Sequence, residues 1–133
     1  MRSRPCLTAD DVHRVMDACK TEARKNNWAA SIVIVDDAGA LLMAERLDGA
    51  AGISAEVALR KARTSAVTRR PTKFWEDRAK DRPGFLTFPA DVMLQGGVPL
   101  MWEGECVGGV GVSGVQSLED EQIALAGVAA LGR

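Results

Sequence analysis

Tyrosine is absent from this chain of 133 residues, histidine occurs once and cysteine three times. That scarcity removes much chemistry. With His13 alone, histidine clusters for zinc, an H-E-x-x-H motif and any Ser-His-Asp triad not built on that one residue are excluded. Cys6, Cys19 and Cys106 are odd in number, far apart and without a C-x-x-C pair, which fits reduced thiols better than a disulfide framework. Long apolar runs are missing too. The best, Ala29–Ala30 and then Ile32–Val35 after one serine, falls far short of the roughly 18 residues a membrane span needs. The amino end carries two arginines but turns acidic at Asp10 and Asp11 before an apolar stretch can form, so it does not read as a secretory signal. The expectation is a cytoplasmic chain with no membrane partner. Excess charge is equally lacking. Seventeen Lys plus Arg against eighteen Asp plus Glu leave a net charge of −1, which offers no field to attract a nucleic-acid backbone.

What the chain does have is core material, 47% hydrophobic residues. Its length suits one domain, residues 1–133, able to bury about two-thirds of its unfolded surface without staples. A first helix is announced by Thr8 with Asp11 three residues on, the pattern of a capping box. Behind it Val12, Val15, Met16, Cys19 and Ala23 recur at helical spacing, and His13 falls with Asp17, Lys20 and Arg24 on the solvated side. Ser31–Asp36 is a β-branched strand, and Asp37-Ala38-Gly39 turns it into a partner over Ala40–Leu47. Ala-rich composition predicts a second helix from Ser54 to about Arg69, stopped before Pro71. A short third helix starts at Thr72 and runs through Trp75 and Ala79. Pro83-Gly84 ends it, and the stretch to Gln95 reads as loop. Strands follow at Val98–Trp102 and Glu105–Val112, joined by a tight turn at Glu103-Gly104. A last helix, Leu118 to about Leu131, is expected to be capped by Ser117 with Asp120. That helix is apolar almost all round, so it must be sandwiched or packed against another chain. The order α-β-β-α-(α)-β-β-α implies an α+β domain on an antiparallel sheet.

Three segments could carry chemistry. Gly109, Gly111 and Gly114 spell G-x-G-x-x-G, but only nineteen residues follow Gly114, leaving no room for the rest of a dinucleotide-binding unit. Glycines at 108, 109, 111 and 114 do admit close approach of a ligand, or of another backbone in tight helix-on-sheet packing. On the second helix, Lys61, Thr64 and Thr68 follow one another at spacings of three or four, a row suited to an anion. A half-buried lysine there could also serve as a base. Third, the amides of Gln95, Gly96 and Gly97 could form an anion-binding concavity, or a plain turn.

Several motifs in order resemble the GlcG/HbpS family: Val35–Gly39, Glu45–Ala50, Lys61–Ala66, Gln95–Pro99, Val107–Gly114 and Asp120–Ala124. The resemblance covers about residues 7 to 131. It implies a profilin-like fold, helices packed on an antiparallel sheet, in homo-oligomers. Relatives of this type include a secreted haem-binding redox sensor component, a protein encoded with glycolate utilisation and a domain fused to some corrinoid adenosyltransferases. Haem is therefore the candidate cofactor, with no metal site and no other cofactor indicated; Thr64 would be an oxygen donor near the implied pocket.

The sequence thus leads to a small oligomeric protein binding an anionic ligand, haem or another, between the second helix and the glycine-rich strand. Lys61 would pair with the anion, Thr64 and Thr68 would add hydrogen bonds, and the backbone of Gly109 and Gly111 would let the ligand come close. The alternative is a cofactor-independent isomerase, tautomerase or lyase acting on a small oxygenated acid. There Lys61 would be the base or clamp, and amides near Gly97 or Gly111 would stabilise an enolate oxygen. A scaffold without ligand is the third reading.

Overall fold

Strand β1, Ser31–Asp36, is β-branched over Ile32–Val35 because it is covered on both faces. Ile32 and Ile34 point to one hydrophobic cluster, Val33 and Val35 to another on the opposite side. The computed structural model describes residues 1–132. In it β1 pairs antiparallel with β2, Leu41–Arg46, and with β4, Glu105–Ser113. β3, Gly97–Trp102, pairs with the far side of β4, giving the order β2-β1-β4-β3.

Helices α1, Ala9–Lys25, and α4, Ser117–Leu131, cover one face of this sheet. α2, Ser54–Thr68, covers the other through Ala58, Ala62 and Ala66. α3, Thr72–Asp81, continues into a 3-10 turn over Pro83–Thr87, where the sequence suggested only loop. The expected α+β order holds, and no described helix is long and apolar enough to cross a membrane.

Local chemistry fixes the ends. Thr8 and Asp11 form the expected capping box on α1. Asp36 accepts from the amides of Ala38 and Ala40, at 2.9 Å each, and Gly39 at φ +85 closes the β1–β2 turn. The cap of α4 differs from expectation by one residue. Gln116 is the N-cap, its amide donating to Glu119 at 3.2 Å, which leaves Asp120 free to turn inward.

α4 crosses α1 where a Cβ on Gly127 would stand 2.5 Å from Cys19 Sγ, so the two helices meet at backbone contact. Its outer face shows Leu118 and Leu125, while much of the remaining apolar composition is alanine and exposes little area. Burial at this crossing pushes the Cys19 thiol up to about 12, and burial on β4 against α2 raises Cys106. In the native protein a thiol reagent should modify exposed Cys6 first and Cys106 more slowly. Cys19 should react only after denaturation, a contrast of orders of magnitude that timed mass spectrometry would read. Native labelling of Cys19 at the rate of Cys6 would contradict this packing.

Candidate functional site

Lys61 is buried at 3% exposure and paired. Its Nζ donates to the Val112 carbonyl at 2.9 Å and to Asp120 Oδ2 at 3.2 Å. Asp120, equally buried, accepts from the Val115 amide with its other oxygen at 3.2 Å. Desolvation raises the Asp120 carboxyl above its ordinary 3.8, outweighing the pull of Lys61 and of the Val115 amide. The pair passes beside Gly96, where a Cβ would lie 2.7 Å from Lys61 Nζ, and joins α2 on one face of the sheet to α4 on the other.

The hollow expected between α2 and the glycine-rich strand is filled. A Cβ on Gly109 would stand 2.6 Å from both the Ala62 carbonyl oxygen and Ser65 Oγ. One on Gly111 would collide with the Ala58 carbonyl oxygen and come within 2.5 Å of the Ala62 nitrogen. These glycines seat the backbone of α2 directly on β4, the packing reading rather than the ligand reading. Two of the three amides of Gln95-Gly96-Gly97 are likewise spent. Gln95 N donates to Glu76 Oε1 and Gly97 N to Thr72 Oγ1, at 2.8 and 2.9 Å, and the Gly96 carbonyl accepts from Val112 N. Thr68 Oγ1 donates to the Thr64 carbonyl and accepts from Trp75 Nε1. Thr64 Oγ1 is buried and, among the described residues, without a partner. The structure thus brings Lys61, Thr64, Gly96, Gly97, Gly109 and Gly111 together as interior packing around α2, with Gln95 and Thr68 at its margin.

Open clefts lie at the rim instead. One, of about 450 Å³, is lined by Arg24, Asn27, Trp28, Glu45, Arg46 and Asp48, of mixed charge. Another, of about 400 Å³, lies on the 3-10 turn. A narrower groove of about 180 Å³ runs between the start of α1 and β2, walled by Leu7, Val12, Leu42 and Met43, with His13 at its edge. The His13 ring is exposed, as its helical phase implied, but it is also oriented: Nδ1 lies 2.7 Å from the Ala9 carbonyl oxygen. A carbonyl only accepts, so Nδ1 carries the proton, and in the neutral ring Nε2 keeps its lone pair. Sequence reading placed His13 on the solvated face and missed this flank, because helical spacing says nothing of β2 lying alongside. It missed Asp120 as the partner of Lys61 as well, since the residue reads equally well as a helix cap. A buried lysine's need for a counter-charge was the available signal.

Geometry therefore defines an α+β protein whose sheet is sealed on both faces and whose openings, at the rim, suit small ligands. Comparison with known proteins narrows this. The family model for haem degrading protein HbpS-like matches residues 7–129. Protein GlcG of Escherichia coli strain K12 is 40% identical over 114 residues, 85% of either chain. A crystal structure of a doubly substituted HbpS from Streptomyces reticuli superposes with a TM-score of 0.92 at 33% identity, over 100% of this chain and 92% of that one. A crystal structure of a PduOC–haem complex gives 0.86 at 27% identity, over 95% of each. The chain belongs to the HbpS-like family.

Proposed function

We propose that this protein binds haem, with His13 as the axial donor in the groove between α1 and β2. The carrying observation is the His13 geometry: an imidazole locked by its Nδ1–H to Ala9, its Nε2 free, beside Leu7, Val12, Leu42 and Met43. A metal-ligating histidine typically donates its second nitrogen to a carbonyl in this way, and a porphyrin face asks for apolar walls. Family membership and the haem complex of the PduOC relative support the reading. Lys20, two turns further along α1 and therefore roughly 10 Å away, lies 3.2 Å from Glu45 and would be the cation for a propionate. Bound haem would supply a redox-active iron.

A groove of about 180 Å³ grips only an edge of a porphyrin, so a second copy of the chain would complete the enclosure. Leu41 and Leu42 on β2, and Leu118 and Leu125 on α4, are among the exposed apolar side chains available for such contact. The free thiols accord with a cytoplasmic setting. As an isomerase or lyase the protein would need Lys61 to meet a substrate, and none of the clefts described above is lined by it.

Titration with haemin should produce a sharp, saturable Soret band. His13→Ala should weaken binding by roughly tenfold or more, or convert the spectrum to that of an unligated iron, with circular dichroism unchanged. No Soret change in the wild type would overturn the haem reading. An identical spectrum and affinity in the variant would overturn the assignment of His13.

A further inference from the structure

All three phenylalanines of the chain lie outside its hydrophobic core. Phe74, Phe85 and Phe88 gather instead with Trp75 on α3 and the 3-10 turn. Trp75 stacks on Phe88 at 4.6 Å and 24°, meets Phe74 edge-on at 5.0 Å and Phe85 at 5.8 Å. Aromatic rings are a fold's largest source of buried area, yet here none of the phenylalanines is fully buried. Their polar company is one-sided. Arg70 and Arg78 lie over the Phe74 ring at 4.5 and 4.7 Å, and Arg82 over Phe85 at 5.3 Å. Among the described residues none of these three arginines has a carboxylate partner within ion-pair distance.

The cleft of about 400 Å³ on this module has Arg82, Phe85, Phe88 and Pro89 in its walls and no acidic residue. Its size falls in the range of small-molecule sites. Thr87, also in the wall, spends its hydroxyl on the Gly84 carbonyl. What remains on offer is two ring faces, a proline face and one guanidinium without a counter-ion.

From this geometry we propose that the cleft is a second binding site, for a flat aromatic molecule bearing a carboxylate or phosphate. The Phe85 and Phe88 planes are 53° apart, so the ring stacks on one and meets the other edge-on, and the anion takes the guanidinium fork of Arg82. The site is independent of the haem reading. Histidine, cysteine and methionine are absent from its lining, so a haem iron would find no axial ligand there.

Trp75 reports on the cleft because it stacks on Phe88 while its indole N–H is fixed at 2.9 Å from Thr68 Oγ1. Titrating the whole chain with 2-naphthoate and separately with adenosine monophosphate, and following the Trp75 indole signal by NMR, should give a saturable shift with at least one of them. A response to naphthoate alone assigns the carboxylate source, and a tighter response to the nucleotide assigns the phosphate source. Arg82→Ala should weaken either by roughly tenfold or more, Arg82→Lys by less, and the uncharged 2-naphthalenemethanol should bind correspondingly more weakly. His13→Ala should leave these shifts untouched, so failure here and failure of the haem reading are separable. No saturable shift with either probe, or equal binding by Arg82→Ala or by the alcohol, overturns the proposal.

Discussion

Gly111→Ala is expected to leave little folded protein at physiological temperature. The added methyl would meet the Ala58 carbonyl and the Ala62 amide nitrogen, and both belong to the backbone of α2. A flexible side chain could swing away; a helix seated along a whole strand cannot. Overpacking a core usually costs about 1–3 kcal/mol even where side chains can give. A backbone collision should therefore exceed about 3 kcal/mol, a large part of the ~5–15 kcal/mol that holds a domain together. Thermal unfolding by circular dichroism should show Tm lowered by about 10 °C or more. Gly84→Ala is the control, with nothing within 4 Å of its new methyl, and should stay within about 0.5 kcal/mol. Equal melting of both variants would mean that α2 does not rest on β4 as described.

The second large effect is at the ion pair. Lys61→Met removes the ammonium from Asp120 and leaves that carboxylate buried with only the Val115 amide. Breaking one side of a buried pair costs about 3–5 kcal/mol. The double variant Lys61→Met/Asp120→Leu should recover most of it, because no buried charge remains. The pH dependence carries a definite sign. With its folded value raised above the ordinary 3.8, Asp120 keeps a proton where the unfolded chain has lost it. Its contribution to stability therefore falls as pH rises from about 3.8 to the raised value, and is level above it. Urea denaturation at stepped pH should show the wild type losing stability relative to Asp120→Asn across that interval. The deficit of Lys61→Met should shrink on acidification, as Asp120 takes up its proton. A wild type that instead gains on Asp120→Asn with rising pH would mean that attraction to Lys61 outweighs burial.

Much of the fold was legible because local signals agreed with it. The unbroken β-branched run of Ile32–Val35 belongs to a strand covered on both faces, and Thr8 with Asp11 starts α1 where the capping pattern says. The site was less legible, for a physical reason. Glycines at 109 and 111 announce that something approaches the strand, but an incoming helix and an incoming ligand leave the same mark on a sequence. Lys61 and Asp120 are 59 positions apart, so no spacing rule connects them. His13 reads correctly as exposed, and only the placement of β2 beside α1 gives it walls. The aromatic cluster was similarly concealed, since Phe85 and Phe88 fall in the stretch to Gln95 that reads as loop.

The two borders of the sheet are chemically unequal. β3 carries Pro99, which has no amide hydrogen to give, whereas β2 has none of that residue along Leu41–Arg46. A neighbouring polypeptide can therefore be hydrogen-bonded in full along the β2 margin, while the β3 margin interrupts any such ladder. Any lateral strand addition would thereby be directed to the β2 side.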